Sequence, residues 1–165
     1  VANCQGRFLV FVRSNEAAAR LARLVELVSY KVFGQLVAAK RCSGEMRVQD
    51  RRKVLRDFAT EDDGVLVCTD LIARGIDMHI DYVINYDVPL GAREYVHRVG
   101  RTARAGNSGN AITIVSPGND TKHFWDIQPS IARSGELNEE DAHLEVDEEK
   151  YQEALSELGQ EVHAH

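Results

Sequence analysis

Apolar and polar positions follow two rhythms along this chain. Short runs that are mainly apolar, Phe8 to Val12, Leu36 to Ala39, Val65 to Cys68, Tyr82 to Tyr86 and Ala111 to Val115, alternate with stretches whose apolar residues recur every three or four positions. Runs such as F-L-V-F-V and V-L-V-C have no polar face and are rich in β-branched residues. They predict strands buried on both sides, as in a parallel sheet covered by helices. The intervening stretches predict amphipathic helices over Glu16 to Val28, Val48 to Phe58 and Arg93 to Val99. Leu21, Leu24, Val25 and Val28 form the inward stripe of the first, and Val54, Leu55 and Phe58 that of the second. Asn15 and Asp70 are placed to cap the helices that follow them. The pattern therefore predicts an α/β fold in three layers, with a mostly parallel central sheet and helices on both faces.

After Pro117 the rhythm changes. Gly118 to Arg133 predicts one more helix, Ser134 to Asp147 is polar and acidic, and Tyr151 to Leu158 predicts a short terminal amphipathic helix. The expected division is a body over 1–117 and a partly helical, acidic extension over 118–165, with no internal repeat.

Composition adds bounds. A chain of 165 residues with 44% hydrophobic and 28% charged content fits one domain with a buried core. No stretch approaches a membrane span and no export signal opens the chain, so no membrane partner is expected. The chain begins at Val1 without Met, which suggests a piece of something longer. Cys4, Cys42 and Cys68 are odd in number and form no C-x-x-C, which argues against a disulfide framework or a zinc site and favours a reducing, intracellular compartment. The net charge of −6 hides an asymmetry, because residues 135–165 hold 11 carboxylates and one lysine, which leaves the body at about +4. A mildly basic body is compatible with a polyanionic ligand, and the acidic tail with a solvated or partner-facing segment.

In open α/β sheets, ligands bind beyond the carboxyl ends of the strands. That singles out V-R-S-N at 12–15, C-T-D at 68–70 leading into L-I-A-R-G-I-D, and N-Y-D-V-P at 85–89 leading into Y-V-H-R-V-G-R-T-A-R at 95–104. Arg98, Arg101 and Arg104 stand at i, i+3 and i+6 and would fall along one side of a helix. Guanidinium groups so arrayed can meet a γ-phosphate with several oriented donors, or else form a surface helix paired with local carboxylates. Thr69 and Asp70 suit a phosphate oxygen at a strand-to-helix turn, though such a turn also caps a helix. Gly75 permits close backbone approach and Asp77 can accept from ribose hydroxyls, though A-R-G-I-D also suits an ordinary loop. His79, His123, His143, His163 and His165 show no ligand spacing, so no metal site is expected. Trp125 and the scattered Phe and Tyr form no base-stacking series.

Taken together, C-T-D-L-I-A-R-G-I-D at 68–77, V-I-N-Y-D-V-P at 83–89 and H-R-V-G-R-T-A-R-A-G at 97–106 resemble the motifs of the second RecA-like domain of DEAD-box RNA helicases. The resemblance extends through F-V-R-S at 11–14 and G-E-M at 44–46 and covers roughly residues 5–117. It implies a RecA-like fold in which Asp77 and Gly75 serve the ATP ribose side, while Arg101 and Arg104 reach the γ-phosphate when two helicase domains close. His97 and Arg98 would serve the domain–domain contact, and Arg74 would couple the RNA and ATP surfaces. Ser14, Arg51, Thr69 and Asp70 match positions that touch or brace the RNA sugar-phosphate backbone, so recognition independent of base sequence is implied.

Three positions depart from the family pattern. Val48 stands where the ungapped register would place Gln, although Arg51 is kept; Ala103 replaces the second glycine of H-R-x-G-R-x-G-R; and Ser14 replaces the commoner Thr. There is no G-x-x-x-x-G-K-[ST] and no D-E-A-D. The isolated chain is thus expected to be inactive in ATP turnover, with Mg²⁺ and the phosphate cradle belonging to an N-terminal RecA-like domain of the same polypeptide. Y-Q-E-A-L-S-E-L at 151–158, with the motif variants above, is similar to the DEAD-box subgroup that acts in large ribosomal subunit assembly. That similarity implies pre-ribosomal particles as partners and a nucleolar or nuclear location; outside that subgroup a cytoplasmic one is expected. Two alternatives stand beside this expectation. One is a non-catalytic RNA-binding or scaffold module; the other is a DNA-directed superfamily 2 translocase domain.

Overall fold

The fully apolar runs build the centre of a five-stranded sheet. In the computed structural model, which describes residues 5–73, 76–104, 108–131, 149 and 152–156, the strands are β1 (Arg7–Phe11), β2 (Ala39–Cys42), β3 (Gly64–Cys68), β4 (Tyr82–Asn85) and β5 (Asn110–Thr113). The helices are α1 (Asn15–Phe33), α2 (Val48–Thr60), α3 (Asp70–Ala73), α4 (Ala92–Val99) and α5 (Asn119–Ile131). The strand order is β2-β3-β1-β4-β5 and every neighbouring pair is parallel. The fold is the expected RecA-like α/β arrangement.

Strand alternation divides the core in two. Phe8, Val10, Val12, Val65 and Val67 pack against Ala18, Leu21, Ala22 and Val25 of α1. Leu9, Phe11, Leu66 and Cys68 face the other way, against Val54, Leu55 and Phe58 of α2 and against Ile72, Ile76 and Ile80. Each central strand therefore needs apolar residues at every position, which is why its run lacks a polar face. A third cluster joins α4 to α5 through Val88, Tyr95, Phe124 and Ile127. At the far end of the described chain, residues 152–156 are helical, with Ala154 buried and Glu153 4.0 Å from Lys31 of α1. The acidic stretch Ser134 to Asp147 lies outside the described residues, as do Arg74 and Gly75. Among the described residues, no helix is long and apolar enough to cross a membrane.

Two local expectations are corrected. The second strand is Ala39–Cys42, not Leu36 to Ala39, and Leu36 is exposed. β2 is an edge strand, so Lys40 can pair with Glu61 at 2.6 Å and Arg41 can reach solvent, which erases the apolar signal over the strand itself. Ser14, not Asn15, caps α1: its Oγ accepts from the Ala17 N–H at 3.0 Å. Asn15 begins the helix and turns its amide to the neighbouring turn, accepting from Gly44 N–H at 3.3 Å and donating to Glu45 at 3.2 Å. Gly34, at φ 68°, ends the helix in the left-handed conformation.

Candidate functional site

The register sets the carboxyl ends of the strands side by side. Phe11 stands opposite both Cys68 and Asn85, Cys42 opposite Cys68, and Asn85 opposite Thr113. The segments that follow, Val12–Ser14, Ser43–Met46, Thr69–Asp70 and Tyr86–Val88, therefore leave the sheet along one edge. The three junctions picked out from the sequence share that edge.

Arg98 of α4 holds it together. Its guanidinium is almost fully buried, with Nε and Nη2 each donating to Asp70 carboxylate oxygens at 2.7 Å. Nη1 donates to the Asp87 carbonyl at 2.7 Å and to Asn85 Oδ1 at 3.3 Å, and the group lies 5.0 Å from the Phe11 ring centre. Asn85, itself buried, donates to Thr113 Oγ1 at 3.0 Å. One planar cation thus ties together the ends of β1, β3 and β4, and through Asn85 also β5. Two expectations change here. Arg98 points inward rather than to a domain–domain contact, because burial of α4 against the sheet gives it four polar acceptors and an aromatic face. The Asp70 carboxylate is committed to Arg98 in a bidentate pair, and Asp70 is the first residue of α3, not a flanking cap.

The three arginines do not share a helix face. Helix α4 ends at Val99 with Gly100 at its C-cap, so Arg101 and Arg104 lie in the turns beyond it. Arg101 and Thr102 N–H close turns onto the Arg98 and Val99 carbonyls at 3.0 Å, and Ala103 follows at φ 54°. The buried Thr102 hydroxyl donates to the Ile80 carbonyl and lies 3.2 Å from that of Asp81, anchoring this segment to the base of β4. Anchored so, Arg101 and Arg104 converge: the Nη1 atoms of both approach the Ile76 carbonyl, at 3.2 and 3.5 Å. The next residue is Asp77, whose fully exposed carboxylate lies 3.6 Å from Arg104.

Two guanidinium groups thus face one carboxylate at the surface. Burial and the Arg104 charge lower the pKa of Arg101, with Asp77 offsetting only part of the effect. A bound polyanion relieves that repulsion, so the constellation fits a phosphate-bearing ligand, with Asp77 left free to accept from hydroxyls. Among the described residues, no group of three His, Cys, Asp or Glu side chains is placed to hold a metal ion.

Ser14, Thr69 and Arg51 lie at or beside the carboxyl edge. Ser14 is exposed, and while its oxygen caps α1, its hydroxyl proton is available to an outside acceptor. Thr69 is half-buried between β3 and α3. Arg51 is half-buried on α2, close enough to the end of β2 that its charge counteracts part of the rise that burial imposes on the Cys42 thiol. His97 is exposed on α4, with its carbonyl 3.3 Å from Arg101 Nε. Asn85, Asp87 and Thr102 carry roles that sequence reasoning had not assigned. A polar residue closing an otherwise apolar run is the signal that could have marked Asn85.

The chain matches known proteins in sequence as well as in fold. The family model described as the helicase conserved C-terminal domain matches residues 2–106. The structure of E. coli DEAD-box protein SrmB bound to regulator of ribonuclease activity A is 33% identical, with a TM-score of 0.62 over 79% of this chain and 70% of that one. The chain therefore belongs to the helicase conserved C-terminal domain family, as the second RecA-like domain of a DEAD-box protein. Among curated relatives, the ATP-dependent RNA helicase DBP6 of Yarrowia lipolytica is 43% identical over 157 residues, 94% of this chain and 26% of that protein. S. cerevisiae Dbp5, solved bound to RNA and ADP BeF3, is 31% identical, with a TM-score of 0.61 over 75% of this chain and 32% of that one. The chain spans about a quarter of the length of the curated relatives it matches.

Proposed function

We propose that this chain is the C-terminal half of an ATP-dependent RNA helicase, and that its carboxyl edge and the turn after α4 serve two ligands at once. The convergence of Arg101 and Arg104 beside Asp77, two cations against one carboxylate, is the observation that carries the proposal. Arg101 and Arg104 bind the γ-phosphate as arginine fingers and stay charged while negative charge is redistributed in phosphoryl transfer. Asp77 accepts from the ribose hydroxyls, with Gly75 giving the backbone close approach.

Ser14, Thr69 and Arg51 bind the RNA backbone through hydroxyl and guanidinium donors, which read no base. Asp70 acts on that surface through Arg98, as a positioning residue. Arg74 links the two surfaces, and His97 faces the N-terminal RecA-like domain. That domain contributes the phosphate cradle and the Mg²⁺ site, so this chain alone does not turn over ATP. Domain closure brings the arginines to the nucleotide, and RNA held across both domains favours closure because it binds that state more tightly. The relatives named as ATP-dependent RNA helicases support this assignment. The likeness of 151–158 to the ribosome-assembly subgroup supports action on pre-ribosomal particles in the nucleolus.

The test is RNA-stimulated ATP turnover by the full-length protein, comparing wild type with Arg104→Ala at fixed low salt. The expected loss is on the order of 10³-fold or more, as for an arginine finger, with RNA binding by this domain kept. Unchanged turnover would overturn the arginine-finger role of Arg104, and no turnover in wild type would leave a non-catalytic RNA-binding module.

A further inference from the structure

The exposed face of α2 carries cations that form no ion pair with a described carboxylate. Val54, Leu55 and Phe58 turn inward. At about 100° per residue, Arg52, Lys53 and Arg56 then share an arc of roughly 100° on the opposite side. All three are exposed, as is Arg47 at the helix N-cap. Elsewhere on the surface Arg13, Arg20 and Lys40 find carboxylates at 2.9, 2.7 and 2.6 Å. Arg47, Arg51, Arg52, Lys53 and Arg56 form no ion pair with any described residue.

This placement works against the helix itself. Arg52 and Arg56 repel at i,i+4, and although Asp50 lies in the first turn, Arg47, Arg51, Arg52 and Lys53 outnumber it at the end whose backbone N–H groups already carry partial positive charge, where no side chain caps them. Formal and partial charge therefore add at the α2 N-terminus, which opens on the carboxyl edge beside Ser43–Met46. From there the stripe runs down the flank of the domain beside the edge strand β2.

We propose that this stripe is a second RNA-backbone surface, on which Arg52, Lys53 and Arg56 take up phosphates flanking the strand held at the carboxyl edge. The proposal rests on the RNA assignment above. A flexible polyanion suits the stripe because its contacts are spaced along a helix flank and present charge without a pocket.

The test uses this chain and two single-stranded RNAs, one long enough only for the carboxyl edge and one extending past it, with anisotropy followed against salt. For the triple variant Arg52→Gln, Lys53→Gln, Arg56→Gln, the log–log salt slope on the longer RNA is expected to fall by about 2, since each single-strand phosphate contact contributes about 0.7. Its low-salt affinity should drop on the order of tenfold, while the short RNA binds as before. An unchanged slope on the longer RNA, or equal weakening on both, would overturn the proposal. Failure of the short RNA to bind wild type would instead overturn the edge assignment. The single variants Lys53→Gln and Arg56→Gln, each expected to lower the slope by about 0.7, carry the same test if the triple variant melts earlier.

Discussion

At the residue scale, the Asp70–Arg98 pair decides how the edge is held. With the guanidinium buried, removing its anionic partner leaves a charge without compensation, so Asp70→Ala should cost about 3 kcal/mol in urea unfolding. Asp70→Asn keeps one carbonyl acceptor and should cost less. Thr102→Val should cost about 1–2 kcal/mol, because the Ile80 carbonyl loses a buried donor, and it should also loosen the segment bearing Arg101 and Arg104. Burial raises the pKa of both the Cys42 and Cys68 thiols, so neither should be alkylated at neutral pH until the protein unfolds, as peptide mapping after iodoacetamide would show. Asp77, Arg101 and Arg104 were legible as a set because motif spacing marks them. The inward turn of Arg98 was not, since i,i+3 spacing says nothing about which of two charged residues the tertiary packing will cover.

At the element scale, the segment after α4 matters most. The i, i+3, i+6 spacing would align the three arginines on one side of a helix, but α4 ends at Val99, where the apolar pattern placed its end, with Gly100 at the C-cap. Ala103 then sits at φ 54°, where a Cβ costs about 1–2 kcal/mol, while glycine would add about 0.4–1 kcal/mol of unfolded-state entropy. Ala103→Gly should therefore stabilise the domain by roughly 0.5–1 kcal/mol, read as a higher urea midpoint at unchanged slope. Gly109→Ala should do the reverse, because a Cβ there would run into the Thr102 hydroxyl and lie 2.6 Å from the Ala103 nitrogen. Central strands and amphipathic helices were legible because burial on both faces, or on one stripe, leaves a periodic mark. The edge strand β2 was displaced in the sequence pattern because its lysine and arginine answer to an ion pair and to solvent.

At the scale of the whole molecule, the amino-terminal end of the sheet is fastened by Asp81. Its carboxylate accepts from Arg7 N–H at 2.8 Å and lies 2.9 Å from the His79 ring, its own N–H donates to the Arg7 carbonyl at 3.1 Å, and its carbonyl accepts from Asn110 N–H at 2.9 Å. Partial burial works to raise the Asp81 pKa, but hydrogen bonds from Arg7 and His79 and their charges outweigh it and hold the value below the ordinary 3.8. The fastening therefore contributes fully above the unfolded-state value and is lost as pH falls through the lower folded one. Thermal melts of wild type should decline below about pH 4, and Asp81→Asn should lower the neutral plateau and flatten that decline. Hydrophobic periodicity, the motifs and their order were enough by themselves to determine the fold class and the shared carboxyl edge, because those follow from local geometry and side-chain chemistry. Tertiary structure alone decided that Ser14 caps α1, that Asp70 turns to Arg98, and that Arg101 and Arg104 meet from a turn. Those outcomes depend on which polar groups the packed sheet and helices bring within hydrogen-bond distance, and burial then forces each buried group to find a partner.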